Sequence, residues 1–379
     1  ELENIKTIAA GYKNTIVVLN IGGVMNLSEI KAVEGVNAIL LMTQLGNLGG
    51  DALLDVLTGK VTPSGKTTDT WAKNYMDYPS SAKFSHNESV NDEMYEDGIY
   101  MGYRYFDSFD VETEYCFGFG RSYTEFELKA GEISVNGNEV QVPVEVKNIG
   151  SKYAGKEVVQ VYYSAIGGEM DKPYQELAAY KKTKLLAPGE SEQLVLSYPV
   201  SQMASYSEQE AAWVLEQGEY VIRVGNSSAS TVAAGVAEVK ESVKTVIAKN
   251  LFALDVELEE IRPDAGKLAA KKQASVGADV KRVVVDTAAI PTQTVVYQGE
   301  REEYHTDKTE KITMQDILSG KATVEELVAQ LTVDEMAQFC VGTLRADGGT
   351  IVGNASYTVP GAAGDTSSVC RESRGIKNM

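Results

Sequence analysis

The sequence predicts a multidomain chain that combines α/β and all-β parts. Three observations carry this expectation. Near the start, short apolar runs alternate with helical and glycine-bearing segments, as in a parallel α/β sheet. From about residue 127 the hydrophobic period changes to two, with turn residues between short runs. Toward the end, residues 313–340 return to a helical pattern ahead of a glycine-rich stretch.

Composition narrows the class. The 379 residues leave room for about two or three domains with a substantial core. Hydrophobic residues make up 43%, which places the chain among globular rather than disordered proteins. The formal charge of −19 argues against nucleic acid or an anionic membrane as partner, because phosphates are repelled. Cys116, Cys340 and Cys370 are widely spaced and odd in number. No disulfide framework is expected, and a reducing, cytoplasmic setting is. No apolar run reaches the ~18 residues of a membrane span, and no leader pattern opens the chain, which starts at Glu1. The Asn-x-Ser/Thr matches at Asn26, Asn87, Asn226 and Asn354 are read as chance in a polar chain.

In order, residues 2–12 read as the end of a helix, and 15–20 as a buried parallel strand that stops at Gly22-Gly23. A second apolar run, 38–42, leads through the loop 44–50 into a helix over 51–57. There Ala52, Leu53, Val56 and Leu57 share one face, with Asp51 and Asp55 on another. Gly46-x-x-Gly49-Gly50 before a helix invites a nucleotide-binding reading. It lacks both the dinucleotide fingerprint and the P-loop Lys-Ser/Thr, and Asp51 at the helix start repels phosphate. Residues 78–92 read as a loop, in which a lone His86 is a solvated residue rather than a metal ligand. Residues 132–146 form a hairpin about Asn136-Gly137, with Pro143 suggesting an edge strand. Further strands are read at 157–163, 191–198, 212–215 and 218–225, together an antiparallel sandwich of about 100 residues. Beyond it, 254–261, 283–286 and 294–297 are possible strands, and 267–275 is polar and connector-like. A helix opens at Thr313, and 323–340 reads as one helix bearing Leu327, Val328, Leu331, Met336 and Phe339.

The densest stretch is 93–126, rich in aromatic residues and punctuated by Gly98, Gly102, Gly118 and Gly120. On physics alone it seals a core at a domain edge, with glycines allowing close backbone approach. Its residues also carry a resemblance. Tyr95-Glu96-x-Gly98-Ile99-Tyr100-x-Gly102-Tyr103-Arg104-Tyr105-Phe106-Asp107 and Phe117-Gly118-x-Gly120-x-Ser122-Tyr123-Thr124-x-Phe126 resemble the closing segment of the α/β-sandwich domain of family 3 glycoside hydrolases. The helix after Gly49-Gly50 and the turn Pro63-Ser64-Gly65-Lys66 are similar to the same domain, although Gln44-Leu45-Gly46 stands where many members have Pro-Gly. Pro173-x-x-Glu176-Leu177-x-x-Tyr180 and residues 218–228 resemble the family's fibronectin type III-like module, where physics alone allows any binding or spacer module. Leu331-Thr332-x-x-Glu335-Met336, Pro360-Gly361-Ala362-Ala363-Gly364 and Arg374-Gly375-Ile376-x-Asn378 resemble the opening of its (β/α)8 barrel.

The resemblance implies an order of parts: the C-terminal half of the sandwich domain over 1–126 and the fibronectin-like module over 127–245. A connector over 246–310 and the beginning of the barrel over 311–379 follow, the inverted domain order. Both ends are expected to cut through domains, making this a central piece completed by a complementary polypeptide. The implied activity is retaining β-glucoside hydrolysis without metal or organic cofactor. Its nucleophilic Asp and acid/base Glu are expected outside the chain, so no catalytic residue is named. The pairs Asp51/Asp55 and Glu325/Glu326 are read as solvated faces. Candidate substrate contacts are Gln44 and Asn47, whose alternative is a helix-capping turn, and Asp107, whose alternative is a pairing with Arg104. Arg345, Asp347 and Asp365 are candidates for the barrel mouth or for a plain connector. Other readings stay open: β-xylosidase or N-acetylglucosaminidase of the same family, and a non-catalytic carbohydrate-binding or scaffold protein, with homo-oligomers possible.

Overall fold

The computed structural model describes residues 1–84, 93–254, 256, 258–277, 279–297, 303–341 and 370–377. They divide into two units, Glu1–Val295 and Val296–Met379.

The first unit opens with α1 (Leu2–Gly11), β1 (Thr15–Leu19), α2 (Ser28–Lys31), β2 (Val36–Leu41) and α3 (Gly49–Leu57). β1 and β2 pair in parallel, as the alternation of apolar runs and helices requires. Leu19, Leu27, Ile30 and Trp71 form their small core, against Ile5, Val17, Ile21, Ile39 and Tyr115. The expected burial of β1 is only partly met. Ile16, on the face opposite Val17 and Leu19, is 46% exposed, because the small core covers the other face of this two-stranded sheet. β3 (Trp71–Ala72) and β4 (Thr113–Tyr115) pair antiparallel on either side of α4 (Tyr103–Phe109).

The sandwich follows. β5 (Phe126–Ala130), β6 (Ser134–Asn136), β7 (Glu139–Asn148) and β10 (Ser191–Pro199) make one sheet. β8 (Val158–Ile166), β9 (Glu176–Lys182), β13 (Gly218–Gly225), β14 (Val232–Val239) and β16 (Arg282–Val284) make another. β11 (Ser205–Ser207), β12 (Ala212–Leu215), β15 (Val243–Ile247) and β17 (Gln293–Thr294) form a third. On β7 the period of two is complete: Val140, Val142, Val144 and Val146 are fully buried, with Glu139, Gln141, Pro143 and Glu145 on the other face. Pro143 is not on an edge strand. β7 lies between β10 and the β5/β6 pair, and the Pro143 carbonyl accepts from the Gly131 N–H at 2.8 Å. Its missing N–H therefore points to the same side, where β6 pairs only up to Gln141 and β5 begins only at Val144. The hairpin loop is Gly137-Asn138, one residue later than read, with Gly137 at φ 56°.

Residues 246–295 fold onto this sandwich. β16 and β17 add parallel strands to β14 and β15. The polar stretch becomes α5 (Ala265–Ala274), started by the Asp264 carboxylate accepting from the Lys267 N–H and favoured by its alanines. No strand forms among the described residues of 254–261. In the second unit, α6 (Met314–Leu318), α7 (Val324–Val328), α8 (Val333–Val341) and α9 (Arg371–Arg374) appear. The single helix expected over 323–340 is broken, because Thr332 and Glu335 form a reciprocal cap that restarts the chain. Buried Arg374 ties this unit together by donating to the Gln330 carbonyl at 2.8 Å and the Ile312 carbonyl at 3.3 Å.

β8 is buried on both faces. Val159, Val161, Tyr163 and Ala165 enter the sandwich core, while Gln160 and Tyr162 meet the aromatic segment. Two glycines permit that approach. A Cβ at Gly118, which has φ 78°, would stand 2.4 Å from Gln160, and one at Gly120 would stand 2.2 Å from the Gly65 carbonyl oxygen. Replacing Gly120 by Ala is expected to destabilise the protein by about 2–3 kcal/mol, since a backbone oxygen has to move. Chemical denaturation of G120A beside wild type measures it, and an unchanged midpoint counts against this packing.

Candidate functional site

Open α/β sheets bind ligands in the crevice beyond the carboxyl ends of their strands. Here that edge is formed by residues 20–27 after β1 and 42–48 after β2. Thr43 has φ 58°. A β-branched residue in that region is strained by on the order of 1–3 kcal/mol, and such strain gathers at functional sites. Beside it, Gln44 lies against the β1 loop, its Oε1 3.2 Å from where a Cβ on Gly22 would stand. Gln44 and Asn47 are both exposed. Neither caps α3: its N-cap is Leu48, with no side-chain cap, and the Gly49 N–H donates to the Gly46 carbonyl instead.

A cavity of about 330 Å³ adjoins the same β1 loop through Val24. Residues 68–70, Tyr78, residues 101–104 and Phe117 complete its lining. Pairing of Trp71 with Tyr115 across β3 and β4 brings the first of these beside the last. The aromatic walls are fixed by their partners. The Tyr78 hydroxyl donates to the Thr70 carbonyl at 3.1 Å and accepts from the Ala72 N–H at 3.2 Å. The Tyr103 ring packs on Phe117 at 4.9 Å and edge-on to Tyr162 at 5.9 Å. Its hydroxyl accepts from the Leu177 N–H at 2.9 Å, and burial pushes its pKa up. Polar groups stand around these rings. Asp69 is exposed and accepts from the Thr68 hydroxyl at 3.1 Å, Arg104 reaches Glu176 at 3.5 Å, and the buried Thr70 hydroxyl has no hydrogen-bond partner. Ring faces with a few polar groups suit a pyranose or an aromatic aglycone. Among the lining residues Asp69 is the one carboxylate, so the cavity itself does not hold the pair of carboxyl groups a glycosidase uses.

Asp107 lies elsewhere on α4. Its alternative pairing with Arg104 is not formed: Arg104 turns to Glu176, and Asp107 accepts from Gln175 at 2.9 Å. Gln175 is itself fully buried and hydrogen-bonded to Ser228 and Thr231, which draws the carboxylate toward the sandwich. Burial pushes the Asp107 carboxyl up to about 6, against the Gln175 hydrogen bond and the Lys271 charge, which pull it down. Asp55 pairs with Lys60 at 2.9 Å, and Glu326 caps α7 from Thr323 and pairs with Lys308. Arg345, Asp347, Asp365, His86, Asn87 and Asn354 lie outside the described residues. Among the described residues no three His, Cys, Asp or Glu side chains gather to hold a metal ion. No helix among them is long and apolar enough to cross a membrane. Sequence reading missed residues 68–70 and Tyr78, because nothing local marks them; only the β3–β4 pairing assembles them.

The architecture is that of an α/β domain closed by an aromatic segment onto a fibronectin-type sandwich. Residues 1–103 match the glycosyl hydrolase family 3 C-terminal domain, and residues 157–228 match the fibronectin type III-like domain. Residues 1–103 thus carry the C-terminal domain of glycoside hydrolase family 3, followed by a fibronectin type III-like domain. The chain is 38% identical over 253 residues to beta-glucosidase A of Butyrivibrio fibrisolvens, covering 61% of this chain and 30% of that protein. It is 32% identical over 345 residues to a beta-glucosidase of Ruminococcus albus, covering 88% and 34%. A solved beta-glucosidase from Paenibacillus barengoltzii superposes with a TM-score of 0.67 at 32% identity, over 96% of this chain and 39% of that one. The chain thus spans about a third of the length of the curated relatives it matches.

Asp107 gives a pH signature. Because its carboxyl is held near 6, above the usual ~4 of an unfolded aspartate, the folded state binds the proton more tightly. Its contribution to stability is complete below about pH 4 and is lost as pH rises through about 6. The D107N variant keeps an acceptor for Gln175 without a charge. Its stability relative to wild type is expected to grow by on the order of 2 kcal/mol between pH 4 and pH 7, as read by denaturant titration at each pH.

Proposed function

We propose that this chain is part of a retaining β-glucosidase that releases terminal non-reducing β-D-glucosyl residues from short glucosides. What carries the reading is the pair of family 3 domains joined through one aromatic segment, together with the likeness to a solved beta-glucosidase over 96% of the chain. In this reading the nucleophilic Asp and acid/base Glu, about 5–5.5 Å apart in a retaining enzyme, lie outside these residues. The chain supplies a rigid lobe: the strained loop of Thr43 and Gln44 and the aromatic cavity near Tyr103 face the sugar or its aglycone. The sandwich braces that lobe.

Exposed apolar surface supports completion by further polypeptide. Leu45 is 48% exposed, Leu48 74%, Leu54 58% and Leu57 43%, along α3 and the loop before it. A parallel sheet of two strands with such a flank is marginal in water. The 379-residue chain alone is expected to enhance the fluorescence of an apolar dye and to sediment as oligomers. A cooperatively unfolding monomer without dye enhancement contradicts that part of the reading.

The activity is tested on the purified protein together with whatever polypeptides accompany it. Nitrophenol release from β-glucoside, β-xyloside and N-acetyl-β-glucosaminide is compared, and the anomer first released is followed by proton NMR. Preference for the β-glucoside with β-glucose appearing first is expected. Release of α-glucose first rules out retention, and preference for another glycoside moves the specificity to a relative of the same family.

A further inference from the structure

A second cavity, of about 300 Å³, opens where the Pro63–Lys66 turn and residues 120–126 meet the sandwich. Its floor is an ion pair taken out of solvent. Lys66 lies 2.8 Å from Glu157, the two side chains 12% and 9% exposed. The Glu157 carboxylate is fully engaged, accepting also from the Val158 N–H at 2.7 Å and the Asn226 amide at 2.9 Å. Two further cations line the cavity, Arg121 and Lys156, and neither has a hydrogen-bond or ion-pair partner among the described residues. The Ser122 hydroxyl is buried there, also without a partner. The only unengaged carboxylate in the lining is the exposed Glu125.

Lys182 stands close enough to feel the same charges. Its pKa is lowered, first by burial and then by the cations of Lys156 and Lys66, with Glu157 opposing. Crowded cations with one neutralised carboxylate between them leave a local excess of positive charge in a chain whose net charge is −19. Long polyanions are repelled by the whole chain, but a small anion inside the cavity feels the nearby groups most strongly.

We infer that this cavity binds a small tetrahedral oxyanion, a phosphoryl or sulfuryl group. Arg121 supplies a fork of N–H donors, Lys156 a point charge, and Ser122 a hydroxyl that gains the partner it lacks. The cavity exceeds the size of a bare oxyanion, so the group enters either free or carried on a sugar ring. Binding lies on the order of millimolar, because the surrounding acidic surface opposes it.

The test compares thermal unfolding in sodium phosphate, glucose 6-phosphate, glucose and sodium chloride at matched ionic strength. Saturable stabilisation by phosphate over chloride is expected, and the glucose arm measures any pyranose binding at the separate Tyr103 cavity. A shift from glucose 6-phosphate larger than those of phosphate and glucose together, and lost in the double variant below, identifies a sugar-borne group as the ligand. A shift no larger than that sum identifies a free oxyanion. In the R121Q/K156Q double variant the apparent affinity is expected to weaken at least tenfold. Both side chains reach the surface, so folding survives, and phosphorus NMR line broadening gives a second readout of phosphate binding in each protein. Equal effects of phosphate and chloride, or unchanged line broadening in the double variant, overturn the inference.

Discussion

The packing of Tyr103, Phe117 and Gly118 on the outer face of β8 is the contact from which the rest of the first unit follows. Tyr162 presents a ring and Gln160 an amide on that face, and the absence of a side chain at Gly118 lets the two surfaces close. The Ser228 N–H donates to the Phe117 carbonyl at 2.9 Å, and Leu177 to the Tyr103 hydroxyl, so buried polar groups on both sides are paired. Each large ring buried in this way contributes about 1.5–3 kcal/mol. β8 is consequently buried on both faces, with Gln160 and Ser164 among the buried residues, where a strand facing solvent on one side would alternate.

Other links reinforce that contact. Lys66 from the turn before β3 pairs with Glu157 at the start of β8, and Asp107 from α4 joins Gln175 before β9. α5 closes the back: Lys271 donates to the Asp110 carboxylate at 2.5 Å, Lys272 to the Lys172 carbonyl at 3.0 Å, and Ser275 accepts from Arg223 at 2.7 Å. Burial lowers the Lys272 pKa to about 8, with the neighbouring Lys172 charge adding to the effect. These buried polar ties fix orientation more than they add stability, since desolvation offsets much of each attraction. With the hydrogen bonds of the Tyr103 and Tyr78 hydroxyls, they hold the walls around these rings in one arrangement.

Rigidity and strain are divided between the parts. The valine face of β7 holds the sandwich core, while Thr43 keeps a strained backbone at the carboxyl edge of β2. A loop held in that way presents Gln44 to one side at little further ordering cost. The exposed leucines of α3 follow this loop in the chain, so the strained edge adjoins an uncovered apolar flank.

Sequence by itself determined the class of each part. The alternation of Val140 to Val146 and the glycines at the start of α3 are local signals, and local backbone physics reads them directly. The aromatic segment was legible as a unit, since its rings and glycines are close in sequence. Tertiary structure decided what those signals meet. Pro143 sits inside a sheet because a gap between β5 and β6 falls opposite its missing N–H, and no local pattern records that gap. Gln175 rather than Arg104 partners Asp107, because a helix residue three positions away loses to a buried amide 68 residues along the chain. The two cavities are likewise products of distance in sequence. Their walls come from segments that only the β3–β4 pairing and the closure onto β8 bring together, and side-chain chemistry acts through space rather than along the chain.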